Sequence, residues 1–204
     1  MMRKHIIITM ALLMGFVMPA LAQSKNNKTE DRIQLAREKY ADGLALISAN
    51  AEDEYPLNYT TVVRNQNWAA IGEKVEKMNF YYHEIEEDEE PYPVGYTLRM
   101  VRYTYNIAAR DYLEEYIFDD NEKPLFFFTH FVEILNSIDY STEFEVRYYY
   151  DENGDVIRSI YKLKDENGKM KEITAKSHPE VLEELDSYAN PRFSYVKKIF
   201  DAIY

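Results

Sequence analysis

The sequence predicts an α+β fold with an N-terminal amphipathic helix, an antiparallel β-meander of about six to eight strands, and a C-terminal helix pair packed on one face of the sheet. Near both ends of the chain, apolar residues recur at steps of three and four, which indicates amphipathic helices. Between them, short runs rich in aromatic and β-branched residues alternate with polar turn sequences, which indicates strands joined by hairpins. Because the helices flank the strands in sequence, we expect all of them on one side of the sheet.

Residues 1–22 have the pattern of a secretory signal peptide. Arg3 and Lys4 precede an apolar run, and Ala20-Leu21-Ala22 fits a cleavage site. The apolar run, from residue 6 to residue 17, is shorter than the stretch of about 20 residues that spans a membrane. We therefore expect export to the periplasm or secretion after cleavage near Ala22.

The mature chain is expected to form a single α+β domain from residue 23 to residue 204, with a flexible tail over residues 23–28. Gln23 stands where a bacterial lipoprotein would need Cys, which argues against a lipid anchor at that position. The later sequence has no long apolar run, so we expect no membrane anchor in the mature chain.

The predicted helices and strands follow in order. The first helix runs from about Glu30 to Asn50, and Gly43 weakens it by about 1 kcal/mol relative to Ala. Strands are then predicted at Tyr59–Asn65, Val75–Glu84, Tyr96–Asn106, Tyr112–Asp119, Leu125–Ile134, in the two halves of Phe144–Leu163, and at Met170–Ala175. Pro179 suits the first turn of a C-terminal helix, and Pro191 divides that region into two helical segments.

The segment Phe144–Leu163 is the clearest hairpin. Its two strand-like runs flank a polar sequence from Asp151 to Asp155, in which Gly154 can adopt a positive φ. A similar order of Asp, acidic residue and Asn recurs at residues 119–121 and 165–167. The uneven spacing favours a meander of hairpins over a solenoid, and convergence of acidic turns is the alternative explanation.

Composition excludes several classes of function. The chain has 24 basic and 36 acidic residues and a formal net charge of −12, which argues against nucleic acid and anionic membrane as partners. It has no Cys, so disulfides, thiol catalysis and Cys-based zinc sites are excluded.

Four segments of the chain stand out as a set: Tyr105-Asn106-Ile107-Ala108-Ala109-Arg110, the strand that follows from Tyr112 to Asp119, Asn79-Phe80-Tyr81-Tyr82, and the Tyr-Asp-x-x-Gly hairpin. In these segments the chain resembles a group of uncharacterised exported proteins of Gram-negative gut bacteria. This resemblance implies a periplasmic or secreted location and supplies no activity. The order of helix and meander is also similar to cystatin-like and lysozyme-inhibitor-like architectures, which is an analogy of fold alone.

Candidate catalytic and metal-binding groups are few. The sequence contains no Gly-x-Ser-x-Gly, His-Glu-x-x-His, Walker or dinucleotide-binding pattern. Two pairs, His83 with Glu84 and His130 with Glu133, are conceivable metal ligands, but a lone strand His is more often structural or solvated. We therefore expect no metal, no cofactor and no catalytic residue.

Glu114 and Glu115 are adjacent acids on a predicted strand. Neighbouring strand residues point to opposite faces, so these two cannot form a catalytic carboxylate pair with each other. Cross-strand ion pairs with Arg99, Arg102 or Arg147 are the favoured interpretation. A carboxylate-based hydrolase of extracytoplasmic substrates, using Glu114 or Glu115, is the alternative function.

The 19 Tyr residues are the most distinctive feature. Alternation places Tyr148 and Tyr150 on one face and Tyr149 on the other, and Tyr103 and Tyr105 share a face of their own strand. We predict Tyr148, Tyr150, Tyr103 and Tyr105 as ligand-binding residues on an exposed aromatic face, because Tyr is enriched at binding hot spots. The alternative is that Tyr covers a two-sided sheet. The sequence thus favours an exported, non-enzymatic binding domain whose partner is an unknown protein or glycan.

Overall fold

The computed structural model describes residues 27–48, 57–64, 72–88, 90–138 and 140–203. Helix α1 covers residues 27–48. The strands are β1 (Leu57–Arg64), β2 (Glu73–Ile85), β3 (Gly95–Ile107), β4 (Arg110–Phe118), β5 (Pro124–Glu133), β6 (Thr142–Tyr150), β7 (Val156–Lys164) and β8 (Met170–Ile173). Helices α2 (Pro179–Tyr188) and α3 (Phe193–Asp201) complete the described chain.

The eight strands form one antiparallel sheet whose spatial order is the chain order, β1 to β8. The predicted α+β meander is therefore confirmed. The predicted signal peptide lies outside the described residues. Residues 23–26 of the predicted tail also lie outside the described residues, and α1 begins at residue 27. None of the helices in the described ranges has the length and apolar character needed to cross a membrane.

Three hairpin turns share one local geometry. In each, an Asp carboxylate accepts hydrogen bonds of 2.8–3.0 Å from the backbone N–H groups two and four residues further on; these residues are Asp119, Asp151 and Asp165. The fourth residue of each turn has a positive φ, and at Gly154 it is 87° as the sequence predicts. The similarity between the three sequences therefore reflects one turn used three times.

One face of the sheet, called here the helix-pair face, is covered by α2 and α3. The pair contributes Val181, Leu185, Val196 and Phe200 to the core. The strands contribute buried residues that include Phe80, Leu98, Tyr103, Tyr116, Phe127, Phe131, Phe144 and Tyr148. The predicted packing of the C-terminal helix pair on one face is confirmed.

The opposite face, called here the α1 face, is partly covered by α1. Ile33 and Ala36 of α1 pack with buried strand residues that include Met100, Ile117, Phe126, Phe128 and Tyr149. The expectation that all helices share one side of the sheet is therefore wrong. The physical reason is that Tyr148, Tyr149 and Tyr150 are each only 6% exposed, so both faces of β6 need a cover.

Helix α1 crosses the strands from β6 toward β2. Near its start, the Arg32 Nε–H donates to the Tyr150 carbonyl at 3.2 Å, and its guanidinium pairs with Asp119 at 2.9 Å. At Gly43 the helix lies so close to β3 that a Cβ would stand 2.5 Å from the Met100 sulfur. Gly43 is thus the residue that permits close packing of α1 on the sheet.

We expect Gly43→Ala to destabilise the protein by up to about 2 kcal/mol. Overpacking against the fully buried Met100 costs about 1–3 kcal/mol, which equals or exceeds the helix-propensity gain of about 1 kcal/mol. Urea denaturation measures the difference. Ala41→Gly, at an exposed position of the same helix, is the control and should cost about 1 kcal/mol through propensity alone. A more stable Gly43→Ala protein would show that α1 does not pack closely there.

Candidate functional site

The four tyrosines predicted to bind a ligand do not form an exposed face. Tyr103, Tyr148 and Tyr150 belong to the buried core beneath α2 and α3, and Tyr105 is half-buried beside them. The Tyr148 hydroxyl donates to Asp186 of α2 at 2.5 Å, which ties the strand to its covering helix. The expected aromatic surface is wrong because the helix pair covers the face on which these rings lie.

Glu114 is enclosed on the helix-pair face. The Tyr105 hydroxyl donates to its Oε1 at 2.8 Å, and the Tyr116 hydroxyl donates to its Oε2. The Arg192 guanidinium lies 3.6 Å from the same Oε2 and 5.1 Å from the centre of the Tyr103 ring. This charge is therefore neutralised and hydrogen-bonded inside the protein, as a buried carboxylate requires.

Glu115 lies on the α1 face and is 2% exposed. The Tyr40 hydroxyl of α1 donates to it at 2.5 Å, and the Arg102 Nε lies 3.5 Å away. Burial raises the pKa of Glu115, against the opposite effects of Tyr40 and Arg102. The predicted separation of Glu114 and Glu115 onto opposite faces is confirmed, and Arg102 is one of the predicted partners.

A third buried carboxylate follows the same pattern. The Tyr112 hydroxyl donates to Glu133 at 2.8 Å, and Arg110 pairs with the same carboxylate. Burial, together with the bond to Glu133, raises the pKa of Tyr112 to about 12, so this hydroxyl remains a donor at neutral pH. Tyrosine hydroxyls thus donate to each of the buried glutamates Glu114, Glu115 and Glu133, which gives these hydroxyls a structural role.

The two conceivable metal pairs are not formed. His83 and Glu84 are neighbours on β2 and point to opposite faces, and Glu133 is engaged by Tyr112 on the helix-pair face. His130 instead lies with its Nε2 3.5 Å from Glu143. Within the described ranges, no group of three His, Cys, Asp or Glu residues is placed to hold a metal ion.

The most accessible feature of the sheet is the half of the α1 face beside α1. One row of cross-strand partners runs over six strands and consists of Lys77, Thr104, Leu113, His130, Glu145 and Lys162. Lys77 and Thr104 are exposed, and the other four are half-buried. Part of this row lines a groove of about 670 Å³, called here the open groove, together with Val75, Tyr105, Asn106, Asp111, Tyr112, Val132 and Glu143.

The charges at the β6 side of the open groove are fixed by ion pairs. Glu143 accepts from Lys164 at 2.5 Å, and Glu145 accepts from Arg147 at 2.7 Å. By contrast, Lys77 on β2 and Asp111 on the central strand β4 form no ion pair with any other residue in the described ranges. The groove therefore offers an apolar floor at Leu113 and two charged groups available to a partner, one on β2 and one on β4.

Sequence reasoning missed this groove. Thr104 and Leu113 alternate with the tyrosines along their strands, so their side chains belong to the opposite face of the sheet. This alternation could have indicated a second, less aromatic face of the sheet. Only the strand register, however, shows that these residues form a continuous row.

We expect Glu115→Gln to become progressively more stable relative to the natural protein as the pH rises from 4 to 7. The pKa of Glu115 is raised on folding above its ordinary value of 4.5, so its stabilising contribution is present below that value and is lost as the pH rises through the folded-state pKa. Each unit of pKa shift corresponds to about 1.4 kcal/mol. Urea denaturation across this pH range measures the effect.

The control for that measurement is Glu152→Gln, which removes a carboxylate from an exposed turn. If the stability difference between Glu115→Gln and the natural protein is the same at every pH, Glu115 does not titrate differently in the folded and unfolded states.

Comparison with protein-family models, with curated proteins and with solved structures gave no match to this chain.

Proposed function

We propose that the protein is an exported, non-enzymatic binding domain that holds a segment of a partner protein in the open groove. The observation that carries the proposal is the combination of exposed Lys77 and Thr104 with half-buried Leu113 on one surface of the sheet. Mixed polar and apolar surfaces of this kind are typical of non-obligate protein interfaces.

The neighbouring half of the same face indicates the kind of segment that fits. There α1 lies across the strands, with Ile33 and Ala36 against the sheet and with Arg32 and Lys39 paired to acids on the β4–β5 turn. The open groove runs beside α1 and in the same direction. A second amphipathic helix, laid parallel or antiparallel to α1, therefore suits this surface.

The dimensions agree with a short helix. The five strands from β2 to β6 span about 19 Å, because neighbouring strands are about 4.8 Å apart. Two rows of side chains on one face lie about 7 Å apart, which suits a helix of about 10 Å diameter. A helix of about 13 residues would cross the groove.

A protein segment fits better than a glycan. Glycan sites use exposed aromatic rings as stacking surfaces. Tyr105 and Tyr112 also line the groove, but their rings stack on each other with centroids 5.0 Å apart on the helix-pair face. The other lining residues supply hydrogen bonds, charges and aliphatic contacts, which a protein segment uses.

The hydrolase alternative has less support. Glu114 and Glu115 are 4% and 2% exposed, and tyrosine hydroxyls already occupy both carboxylates. A catalytic carboxylate must come within hydrogen-bond reach of its substrate.

The export part of the proposal rests on the N-terminal sequence. We expect the mature protein to begin at Gln23, because Ala20-Leu21-Ala22 fits a signal-peptidase site. Intact-mass measurement of the protein from the periplasm or medium tests this. A species that retains Met1, or one that carries a lipid, would contradict it.

We expect a photo-crosslinking amino acid at Thr104 to form an adduct with one partner protein, because Thr104 is exposed and lines the groove. The same amino acid at Ile203, which is 45% exposed beyond α3, is the matched control. Once the partner is identified, Thr104→Arg should weaken its binding by about tenfold or more through steric exclusion.

Equal crosslinking at Thr104 and Ile203, or unchanged affinity of Thr104→Arg for the partner, would contradict the proposed site. Binding of an oligosaccharide at Thr104 in place of a protein would show that the groove belongs to a glycan-binding domain.

A further inference from the structure

A small cavity lies between α1 and the strands β2 and β3, away from the open groove. Its volume is about 50 Å³. Helix α1 lines it with Lys39, Asp42, Gly43 and Leu46, and the strands line it with His83, Arg99, Met100 and Phe118.

A β-bulge directs Arg99 toward this cavity. Tyr81 pairs with Met100 and Tyr82 pairs with Leu98, so Arg99 is an extra residue without a partner in β2. A bulge redirects side chains that would otherwise alternate. As a result, the neighbouring residues Arg99 and Met100 both line the cavity beneath α1.

The cavity has more hydrogen-bond donors than acceptors. Lys39 Nζ lies 2.9 Å from Oδ1 of Asp120, and Arg99 Nη1 donates to the same oxygen. Asp120 is 63% exposed, so solvent weakens its hold on both cations. The Arg99 Nε–H is buried and has no hydrogen-bond partner, which is an unfavourable state for a buried donor.

The direction of the pKa shift of His83 indicates the sign of the electrostatic potential in the cavity. Its pKa is lowered by partial burial, then by the positive charges of Arg99 and Lys39, while Asp120 acts in the opposite direction. Asp42 is exposed at the rim. The two cations therefore dominate the potential at His83, which disfavours a metal cation and favours an anion.

We propose that this cavity binds an oxyanion, the phosphate or carboxylate group of a small molecule, with Lys39 and Arg99 as its ligands. Oxyanion oxygens match the ammonium and guanidinium donors, and charge-assisted hydrogen bonds to them are strong. This site is separate from the open groove, and the proposal stands or falls independently of the proposed function.

The test uses His83 as a probe in the intact mature protein. An NMR titration follows the His83 ring resonance against pH in sodium phosphate, in sodium acetate and in sodium chloride of equal ionic strength. We expect phosphate or acetate, but not chloride, to raise the pKa of His83 in a saturable manner, because a bound anion offsets the nearby cations. The His130 resonance, from the same face of the sheet, serves as the internal control for non-specific effects.

Variants assign the effect to the cavity. Arg99→Gln and Lys39→Gln should each weaken anion binding by about tenfold or more, since each removes a charge-assisted donor. Asp120→Asn should strengthen binding several-fold, because it removes the competing carboxylate while retaining an exposed turn residue. Circular dichroism checks that each variant is folded. If Arg99→Gln does not fold, the anion affinity of Asp120→Asn tests the proposal in its place.

The phosphate and acetate titrations distinguish a phosphate-bearing ligand from a carboxylate ligand. A response to phosphate alone assigns a phosphate-bearing ligand, and a response to acetate alone assigns a carboxylate. Three results would each show that the cavity is not an oxyanion site. The first is that neither phosphate nor acetate raises the pKa of His83 more than chloride does. The others are that a folded Arg99→Gln protein binds the anion as tightly as the natural protein, or that Asp120→Asn does not bind it more tightly.

Discussion

The two-sided burial of the central strands is the constraint on which the rest of the structure depends. In β5, the residues Leu125, Phe126, Phe127 and Phe128 are consecutive and all buried. Successive strand residues face opposite sides, so such a run removes solvent from both faces at once. An antiparallel sheet with one wet face cannot accommodate this sequence. The fold consequently requires both helix α1 and the pair α2–α3, one on each face of the sheet.

Tyrosine makes this double burial compatible with polar groups in the core. A Tyr ring supplies apolar area, and its hydroxyl can satisfy a carboxylate that has lost its water. Glu114 and Glu115 show the same solution on opposite faces, through Tyr105 and Tyr116 on one side and Tyr40 on the other. The abundance of Tyr therefore reflects how this sheet retains acids in its interior.

Local chemistry explains what could be predicted from the sequence. The Asp–x–Asn–Gly turn at Asp151 is determined by short-range hydrogen bonds and a positive φ, so the hairpins and their order followed from residue types alone. Which helix packs on which face of the sheet could not be predicted from the sequence, because the alternation of Tyr148, Tyr149 and Tyr150 is the same whichever side a helix occupies. The bulge at Arg99 gave no sequence signal either, since it depends on how β2 and β3 pair.

The open groove could be predicted from the sequence only in part. Its residues could be assigned to one side of each strand, but their assembly into a surface depends on the register of five strands. Thr104 and Leu113 become neighbours only through pairing across the β3–β4 turn.

The strand order has a consequence for how the chain reaches its native state. Because each strand pairs with its neighbours in sequence, the sheet can assemble through short-range contacts, which favours rapid folding. The docking of α1 is different, since Arg32 and Tyr150 are separated by 118 positions. Helix α1 can make its final contacts only after β6 is in place. During synthesis from the N-terminus, the apolar side of α1 therefore stays uncovered until the sheet forms, and transiently exposed apolar surface favours aggregation.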